Sequence, residues 1–330
     1  MIDFCILGSG IAGSTIAKLL SKKYSVHVFD KARGPGGRSS NKKFKKNLSF
    51  DHGVQYISPK SQLFTKYIQK LHKNKILKSW DDSHLDFTFE KKPFSTKYIG
   101  RRANNDLVKY NLKNIKQSFA SPIEKIDFKK YFWEITLKNK SKHQFKSLII
   151  TCPFPQLKKL AKNFLDKNIL KLKVQMQPNI TVMLAFKNQK NLPISSIKFK
   201  DDILAWAANE NSKNRFKSKL SIWTIQSSTK FAKKFINKFK KNKQKTIKII
   251  LRKFSELTGL NNKIVFSNIH GWKYAYNIKG SKMSSLWLNH YKIGVCGDWF
   301  LGSKAEDAWI SANNLFLKIK KNPPKKIGGF

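Results

Sequence analysis

Cysteine is scarce in this sequence, and so are the other features that mark a secreted or membrane-anchored chain. The three cysteines, Cys5, Cys152 and Cys296, lie in or beside apolar segments and show no CxxC or metal-ligand spacing. We therefore expect buried, reduced thiols and no metal site. No apolar run approaches the roughly 20 residues that cross a bilayer, and no leader-like segment precedes the first predicted strand. These absences predict a globular, cytoplasmic protein with no transmembrane segment.

Acidic residues are also few, with 19 Asp and Glu against 67 Lys and Arg, which gives a net charge of +48. A charge of this size favours nucleic acid or an anionic membrane as a partner. Only six of the basic residues are Arg, however, and Lys is spread through nearly every predicted element. Base reading favours clustered Arg, so we expect no specific nucleic-acid recognition. A basic nucleotide-containing protein that binds RNA or anionic lipid through its Lys surface stays open as an alternative.

The chain does contain a glycine turn between two apolar strands. Asp3-Phe4-Cys5-Ile6-Leu7 predicts a strand, Gly8-Ser9-Gly10-Ile11-Ala12-Gly13 a turn that enters a helix, and Val26-His27-Val28-Phe29 a second strand. This is the βαβ pattern of a dinucleotide site, where glycines let the backbone and the free N–H groups of a helix approach a pyrophosphate. Asp30 follows about 20 residues after the first glycine, where a carboxylate accepts ribose hydroxyls.

Two of the rare Arg residues stand directly after the second strand, in Arg33-Gly34-Pro35-Gly36-Gly37-Arg38. Where Lys is the default base, an Arg indicates that a planar guanidinium with several donors is needed, as at a phosphate or a ribose edge. We therefore predict that this glycine-rich loop faces the nucleotide.

The periodicity predicts an α/β protein: a Rossmann-like domain with a β-meander and an inserted mixed-sheet substrate domain. Alternation at Ile123 to Asp127, at Tyr131 to Leu137 and at Gln144 to Phe145 indicates the meander, and Ser147 to Thr151 is predicted to be a separate, buried parallel strand. Tyr291 to Asp298 is a last strand that ends in Gly-Asp before a helix. The expected boundaries are 1–53, 104–175 and 291–330 for the nucleotide-binding domain, and 54–103 and 176–290 for the substrate domain.

Taken together, these segments resemble flavin-dependent oxidoreductases of the amine oxidase superfamily, and within it the bacterial renalase-like branch. The residues that carry the resemblance are Asp30-Lys31, Gly36-Gly37-Arg38, Asp51-His52-Gly53-Val54-Gln55-Tyr56, Trp206 to Lys213, His270 to Ala275 and Gly294 to Trp299. The likeness covers nearly the whole chain. It departs at Arg101 and Arg102, which replace a Gly-x-Pro-Gly-Met-like turn, and at Ser212 to Arg215, which lacks a Pro-Gly pair.

The resemblance implies non-covalent FAD. By residue-to-residue transfer, the glycine turn would cradle the pyrophosphate, Asp30 would hold the adenosine ribose and Ile123 would meet the adenine through its backbone. Residues 53–55 would pass the isoalloxazine ring, and the first turn of the last helix would present N–H groups to it. The full set of expected cofactor residues is Gly8, Gly10, Ile11, Ala12, Gly13, Asp30, Lys31, Gly37, Arg38, Gly53, Val54, Gln55, Ile123, Gly297, Asp298, Asp307 and Ala308.

The resemblance also implies an enzyme that takes a hydride from a dihydronicotinamide dinucleotide, such as an isomer of NAD(P)H, and passes electrons to oxygen. Hydride loss from a dihydropyridine leaves an aromatic cation with no proton to remove, so we assign no catalytic side chain. Asn209, Trp272 and Tyr274 are the expected pocket residues. Oxidation of an amine, with Tyr274 and Tyr276 as an aromatic cage, or of a hydrophobic ring compound is the alternative within the superfamily.

Overall fold

The computed structural model of the chain describes residues 1–45, 48–80, 83–90, 96–187, 194–261 and 263–324. Its strands are β1 Ile2–Leu7, β2 Val26–Phe29, β3 Asn41–Lys43, β4 Ser49–Asp51, β5 Leu77–Ser79, β6 His84–Leu85, β7 Tyr98–Gly100, β8 Lys116–Ser118, β9 Ile123–Lys129, β10 Phe132–Leu137, β11 Lys142–Ile150, β12 Met176–Phe186, β13 Ser196–Lys198, β14 Leu204–Asn209, β15 Ser221–Ser227, β16 Ile264–Asn277, β17 Leu286–Leu288 and β18 Ile293–Val295. Its α-helices are α1 Ile11–Leu20, α2 Gln62–Lys73, α3 Asp106–Asn111, α4 Phe154–Ala161, α5 Lys167–Leu170, α6 Thr229–Phe235, α7 Lys243–Thr258 and α8 Ala305–Lys321.

The first sheet has the order β17-β18-β11-β1-β2-β8, with the meander strands β9 and β10 attached to β11. Its central strand β1 is parallel to both β11 and β2, and β18 is parallel to β11. Helices α1 and α8 pack together on one face through apolar residues such as Ile16 and Leu315, while α4 covers the other face. This arrangement confirms the predicted Rossmann-like architecture and places the glycine turn at the carboxyl end of β1.

The meander and the following parallel strand share one long strand, β11, where the sequence suggested two. The amino-terminal half of β11 pairs antiparallel with β10, and its carboxyl-terminal half pairs parallel with β1. The burial pattern changes with the partner, since residues 142–146 are largely exposed and residues 147–150 are all buried. The change from alternating to continuous apolar residues thus marks a change of neighbour and not a break in the strand.

The second sheet has the order β16-β12-β15-β14-β13-β6, antiparallel except for the pair β13 and β6. One face packs against α6 and α7 through buried residues such as Val182, Ile225 and Phe254. The other face carries Met183 and Ile222, which pack on Phe50 of β4. The two sheets therefore meet across the segment that begins at β4.

The predicted division of the chain stays a prediction, and two elements bear on it. Helix α2, placed in the substrate domain, buries Phe64, Ile68 and Leu71 in the core of the first sheet. Strand β17 lies before the expected boundary at residue 291, yet it pairs with β18 in the first sheet. Among the described residues, no helix is long and apolar enough to cross a membrane.

Candidate functional site

The glycines of the first turn have different roles. Gly8 has a φ of +109°, and a Cβ on Gly13 would lie 2.0 Å from the carbonyl oxygen of Gly8. These two residues let α1 sit directly against the end of β1. A Cβ on Gly10, by contrast, would meet nothing closer than the Cα of Gly37 at 4.0 Å. Gly10 therefore leaves open space at the amino-terminal end of α1, where a nucleotide pyrophosphate is expected.

The carboxylate of Asp30 is held at the mouth of this turn. Its Oδ2 accepts hydrogen bonds from the backbone N–H of Ser9 at 2.7 Å and from Ser9 Oγ at 2.6 Å, while Oδ1 accepts from Ala32 N at 2.8 Å. The backbone of Ser121 donates to the Asp30 carbonyl, which brings the segment leading to Ile123 beside it. Ser9 was not identified from the sequence, although its place between two glycines opposite an acid is a usable signal.

Other predicted cofactor residues fall around the same turn. Ile11 opens α1 and is partly buried, Ala12 is buried in the core, and Lys31 is exposed after β2. Gly37 has a φ of +53° and lies against Gly10. The glycine-rich loop therefore packs on the glycine turn.

Arg38 and Asp298 are 260 residues apart in the sequence and form an ion pair. Nη1 of Arg38 donates to Asp298 Oδ2 at 2.8 Å and to the carbonyl oxygen of Ala275 at 2.9 Å, and Nη2 donates to Asp298 Oδ1. The Asp298 side chain is 3% exposed and that of Arg38 28% exposed. Next to them, Gly297 N donates to Ser311 Oγ of α8 at 3.0 Å. The pair joins the glycine-rich loop, β16 and the end of β18, and uses the guanidinium fork that Lys lacks.

Residues 51–55, which we call the central loop, have every carbonyl turned inward. Gln55 Nε2 donates to the carbonyls of Asp51 and Gly53, and Gln226 Nε2 also donates to that of Gly53, at 2.7 Å. Trp272 Nε1 donates to the His52 carbonyl at 2.9 Å. Asn104 Nδ2 donates to the carbonyls of residues 54 and 55, at 2.7 and 2.8 Å. Five successive acceptors are thus satisfied by side chains from both halves of the protein.

The N–H groups of the central loop are used more sparingly. Val54 N donates to the Arg38 carbonyl at 2.8 Å, whereas those of Gly53 and Gln55 have no partner within the described ranges. A Cβ on Gly53 would lie 1.9 Å from the Arg38 carbonyl oxygen, so only glycine fits there. The loop therefore offers free donors to a ligand but no free carbonyl acceptors.

Beneath the central loop lies a buried cluster of two acids and two bases, which we call the ion cluster: Asp51, Glu210, Lys213 and Arg215. Lys213 Nζ is 2.9 Å from Asp51 Oδ2 and 3.0 Å from Glu210 Oε2, with all three side chains at most 1% exposed. Arg215 pairs with Asp51 and donates to the carbonyl of Gly100 at 3.0 Å. The sequence reasoning missed this cluster, although the rare Arg215 was a signal.

The ion cluster sets opposite pKa shifts on its two acids. Burial alone would raise the pKa of Asp51, but the charges of Arg215 and Lys213 hold it well below its usual range. For Glu210, burial raises the pKa, and the attraction of Lys213 offsets only part of that effect. Asp51 is therefore the fixed negative charge of the cluster.

Trp272 lies where the second sheet meets the central loop. Its ring stacks on His52 with centroids 5.3 Å apart and planes at 23°. Burial, followed by the charge of His270, lowers the pKa of His52 to about 4. Tyr274 is two residues further along β16 and half-buried. The predicted pocket residues Trp272 and Tyr274 thus share a strand, and Trp272 touches the loop predicted to meet the cofactor.

Asn209 lies elsewhere. It pairs across the strands with Trp223, whose ring packs on Phe254 of α7, on the face of the second sheet that points away from the first. Its Nδ2 donates to the carbonyl of Ile194 and its Oδ1 accepts from Asn211 N, both at 3.1 Å. The structure does not bring Asn209 beside Trp272, because β12 and β15 stand between their strands.

The start of α8 lies beside the end of β18. Asp307 Oδ2 accepts from Lys304 N at 2.8 Å and caps the helix, and Ala308 N donates to the Lys304 carbonyl at 3.3 Å. The Glu306 carboxylate accepts from Lys60 N and Ser61 N at the start of α2. Of the two acids in this first turn, Asp307 caps α8 and Glu306 connects α8 to the start of α2. The first N–H groups of α8 remain at its open end.

The two segments at which the resemblance departs lie in different surroundings: Ser212 to Arg215 contains the buried Lys213 and Arg215 of the ion cluster, whereas the other segment lies at the surface. Arg101 and Arg102 are exposed, and together with Asp106 and Pro35 they line an open cavity of about 640 Å³. The other residues that line it are Lys75, Ile76, Lys109, Tyr110, Leu112, Lys113, Asn114 and Gln117. The neighbouring Gly100 contacts the ion cluster through Arg215, and Asn104 contacts the central loop. Among the described residues, no group of three His, Cys, Asp or Glu could hold a metal ion.

Comparison with known proteins places residues 6–71 in a family described as NAD(P)-binding Rossmann-like domain. An uncharacterized protein of Methanocaldococcus jannaschii is 42% identical over 53 residues, which is 16% of this chain and 14% of that protein. The chain therefore matches only a small part of that relative's length. The family match covers the glycine turn and confirms an NAD(P)-binding Rossmann-like fold for residues 6–71.

Solved structures extend the similarity to the whole chain. A protein assigned as a protoporphyrinogen oxidase, from Exiguobacterium sp. 255-15, gives a TM-score of 0.74 at 11% identity, with 97% of this chain and 99% of that one covered. A redesigned double mutant of putrescine oxidase gives 0.71 at 9% identity, with 97% and 99% covered. The tetracycline destructase Tet(51) gives 0.57 at 14% identity, with 98% and 84% covered. At these identities the likeness defines the fold, a Rossmann-like domain joined to a second mixed sheet.

Proposed function

We propose that this chain is an oxidoreductase that binds FAD non-covalently and, like the renalase-like enzymes it resembles, takes a hydride from a dihydronicotinamide dinucleotide. Oxygen is the proposed electron acceptor and the cytoplasm the proposed location. The observation that carries the proposal is the convergence of four distant segments on one site: the glycine turn, the glycine-rich loop with Arg38, the central loop and the end of β18 with Asp298. Whole-chain fold similarity to proteins named as oxidases supports it.

The residues present fit FAD at three points. Gly10 leaves room for a pyrophosphate that a Cβ would fill, and Asp30 stands beside it for the ribose. The free N–H groups of Gly53 and Gln55 suit the oxygen and nitrogen acceptors of an isoalloxazine ring. Cys296 is fully buried in the first core and burial raises its pKa, which favours a non-covalent flavin.

A bound flavin supplies the acceptor for a hydride, and the chain supplies binding, orientation and exclusion of water. Trp272, fixed by its bond to the His52 carbonyl, is the proposed stacking surface for a nicotinamide ring, with Tyr274 beside it. His52 is held neutral by its lowered pKa and is stacked against Trp272, so it is a wall of this site and not a proton carrier. Hydride transfer from a dihydropyridine needs no such carrier.

Amine oxidation is the second candidate, and one contact weakens it. The proposed cage would use Tyr274 and Tyr276, but the Tyr276 hydroxyl is bonded to Thr229 Oγ1 at the start of α6. That hydroxyl is therefore engaged by Thr229, which leaves Tyr274 without its expected partner in a cage.

The test begins with the absorbance spectrum of the purified protein before and after denaturation, which should show a flavin that is released by acid. Anaerobic mixing with 2- or 6-dihydro isomers of NAD(P)H should then bleach the flavin faster than mixing with simple amines, and oxygen should restore the colour. Trp272→Phe should slow the bleaching. Trp287→Phe, at a half-buried Trp whose Nε1 donates a hydrogen bond to the Asn322 carbonyl, is the matched control and should leave the bleaching rate unchanged. Rapid bleaching by an amine with no response to any dihydronicotinamide would overturn the substrate assignment.

A further inference from the structure

The ammonium group of Lys213 makes one contact that its place in the ion cluster does not require. Its three N–H donors meet three acceptors: Asp51 Oδ2 at 2.9 Å, Glu210 Oε2 at 3.0 Å and Gln55 Oε1 at 3.2 Å. The first two contacts balance charge. The third is to a neutral amide of the central loop, and it is the contact through which the second sheet reaches the Gln55 side chain.

Charge balance alone would leave Lys213 dispensable for Asp51. Arg215 already pairs with Asp51, and Asn104 N donates to Asp51 Oδ1 at 3.0 Å. Removing Lys213 together with Glu210 would therefore take away one charge of each sign and leave the pair Asp51 and Arg215 intact. The cluster thus allows the charge of Lys213 to be separated experimentally from its contact with Gln55.

The contact with Lys213 decides which way the Gln55 amide points. The ammonium group of Lys213 can only donate hydrogen bonds, so the Gln55 atom that faces it must be the acceptor Oε1. Nε2 then points toward the carbonyls of Asp51 and Gly53. A flipped amide would set Nε2 against the ammonium group and Oε1 against two carbonyl oxygens. The orientation that Lys213 imposes is therefore the one that closes the central loop upon itself.

We propose that Lys213 is a positioning residue of the cofactor site, which fixes the central loop in its flavin-binding shape by orienting the amide of Gln55. The inference rests on the proposed function, because it takes the central loop as the surface that meets the flavin. It also means that the segment 210–215, which follows β14 in the second sheet, controls the affinity of a cofactor held mainly by the first.

The decisive comparison uses the single variant Lys213→Met and the double variant Lys213→Met/Glu210→Gln. The single variant leaves a buried acid without its cation and should lower the unfolding midpoint of the apoprotein by about 5–10 °C. The double variant should recover that midpoint to within about 3 °C. It should still bind FAD at least tenfold more weakly than the wild type, and the amides of residues 51–55 should exchange with deuterium faster in the apoprotein.

Two further variants keep the test open if the double variant folds poorly. Gln55→Met leaves the ion cluster whole and should show the same loss of FAD affinity and the same faster exchange. Lys217→Met, at an exposed Lys that follows the segment 210–215, should change neither.

The outcomes separate the two proposals. Wild-type FAD affinity and unchanged exchange in the double variant and in Gln55→Met would overturn the role of Lys213. If the wild-type protein binds no FAD but the variants still show faster exchange of the central-loop amides, the effect of Lys213 on the loop is upheld and the proposed function is refuted.

Discussion

Alanine at Gly10 and at Gly13 should separate nucleotide binding from folding within a single turn. A Cβ at residue 13 would sit 2.0 Å from the carbonyl oxygen of Gly8, a backbone atom that cannot swing aside. Restoring an ordinary contact of about 3.5 Å requires α1 to retreat from β1 by about 1.5 Å. That retreat would loosen the packing of Ile16 and Leu20 in the first core, so we expect Gly13→Ala to lower the free energy of unfolding by about 3 kcal/mol.

Gly10→Ala is the matched substitution with the opposite expectation. The backbone at Gly10 has φ −79° and ψ −168°, which alanine adopts without strain, and the added methyl group meets no protein atom closer than 4.0 Å. The free energy of unfolding of the apoprotein should change by no more than about 0.5 kcal/mol. The methyl group would, however, occupy the space left for the pyrophosphate, so FAD affinity should fall at least tenfold, or about 1.4 kcal/mol.

Urea unfolding of the two apoproteins and titration with FAD, followed by quenching of flavin fluorescence, measure both quantities. Wild-type FAD affinity in Gly10→Ala would refute the placement of the pyrophosphate at Gly10. Wild-type stability in Gly13→Ala would refute the close packing of strand and helix.

The remaining predictions concern charge. Asp30→Ala should weaken FAD binding by about 1–3 kcal/mol in a folded protein, measured by the same titration. Unchanged affinity would mean that Asp30 only holds Ser9 through hydrogen bonds and does not contact the cofactor. Arg38→Lys should also weaken it, because one ammonium group cannot hold both oxygens of Asp298, and full retention would contradict the importance of the fork. The pKa of His52 is about 4 in the folded protein, against an ordinary value of 6.5, so the unfolded chain binds the proton first as the pH is lowered. The free energy of unfolding should therefore decrease as the pH falls from 6.5 to 4, and His52→Gln should reduce that decrease, measured by urea titration at each pH. Any nucleic-acid binding should fall steeply with salt and show no sequence preference in a mobility assay, and salt-resistant selective binding would favour the alternative class.

The parts of the site that could be predicted from the sequence are those written in neighbouring residues. The turn from Gly8 to Gly13 could be recognised because close approach of the backbone to a pyrophosphate needs glycine at fixed spacing. Asp30 could be recognised because the length of the helix and the second strand fixes where the acid stands. The fold class followed from the same unit, the meander and the last strand. Short elements such as β8 and β17 escaped, because three residues carry too little periodicity to be distinguished from a loop.

What could not be predicted depends on contacts between distant residues. Arg38 was singled out for its rarity, but nothing local indicates that its partner is Asp298. Lys213 resembles the many surface lysines around it until the fold brings Asp51 and Gln55 to its end. Asn209 is the opposite case. A polar residue in a matched segment suggested a pocket, and strand register places it on the other face of the sheet from Trp272, so its place in a pocket stays a prediction.

The order of strands in the first sheet has a consequence for how the protein is made. Ile2 of β1 lies opposite Phe145 of β11, and α1 packs on α8, which ends at Lys321. During synthesis, β1 and α1 therefore leave the ribosome long before β11 and α8 have been made. The apolar face of α1 stays uncovered until α8 is synthesised. Residues 6–71 expressed alone would carry an unpaired strand edge and an uncovered helix face, which is the composition of an aggregating fragment. The first sheet and the apolar face of α1 are accordingly completed only after the residues of α8 have been synthesised.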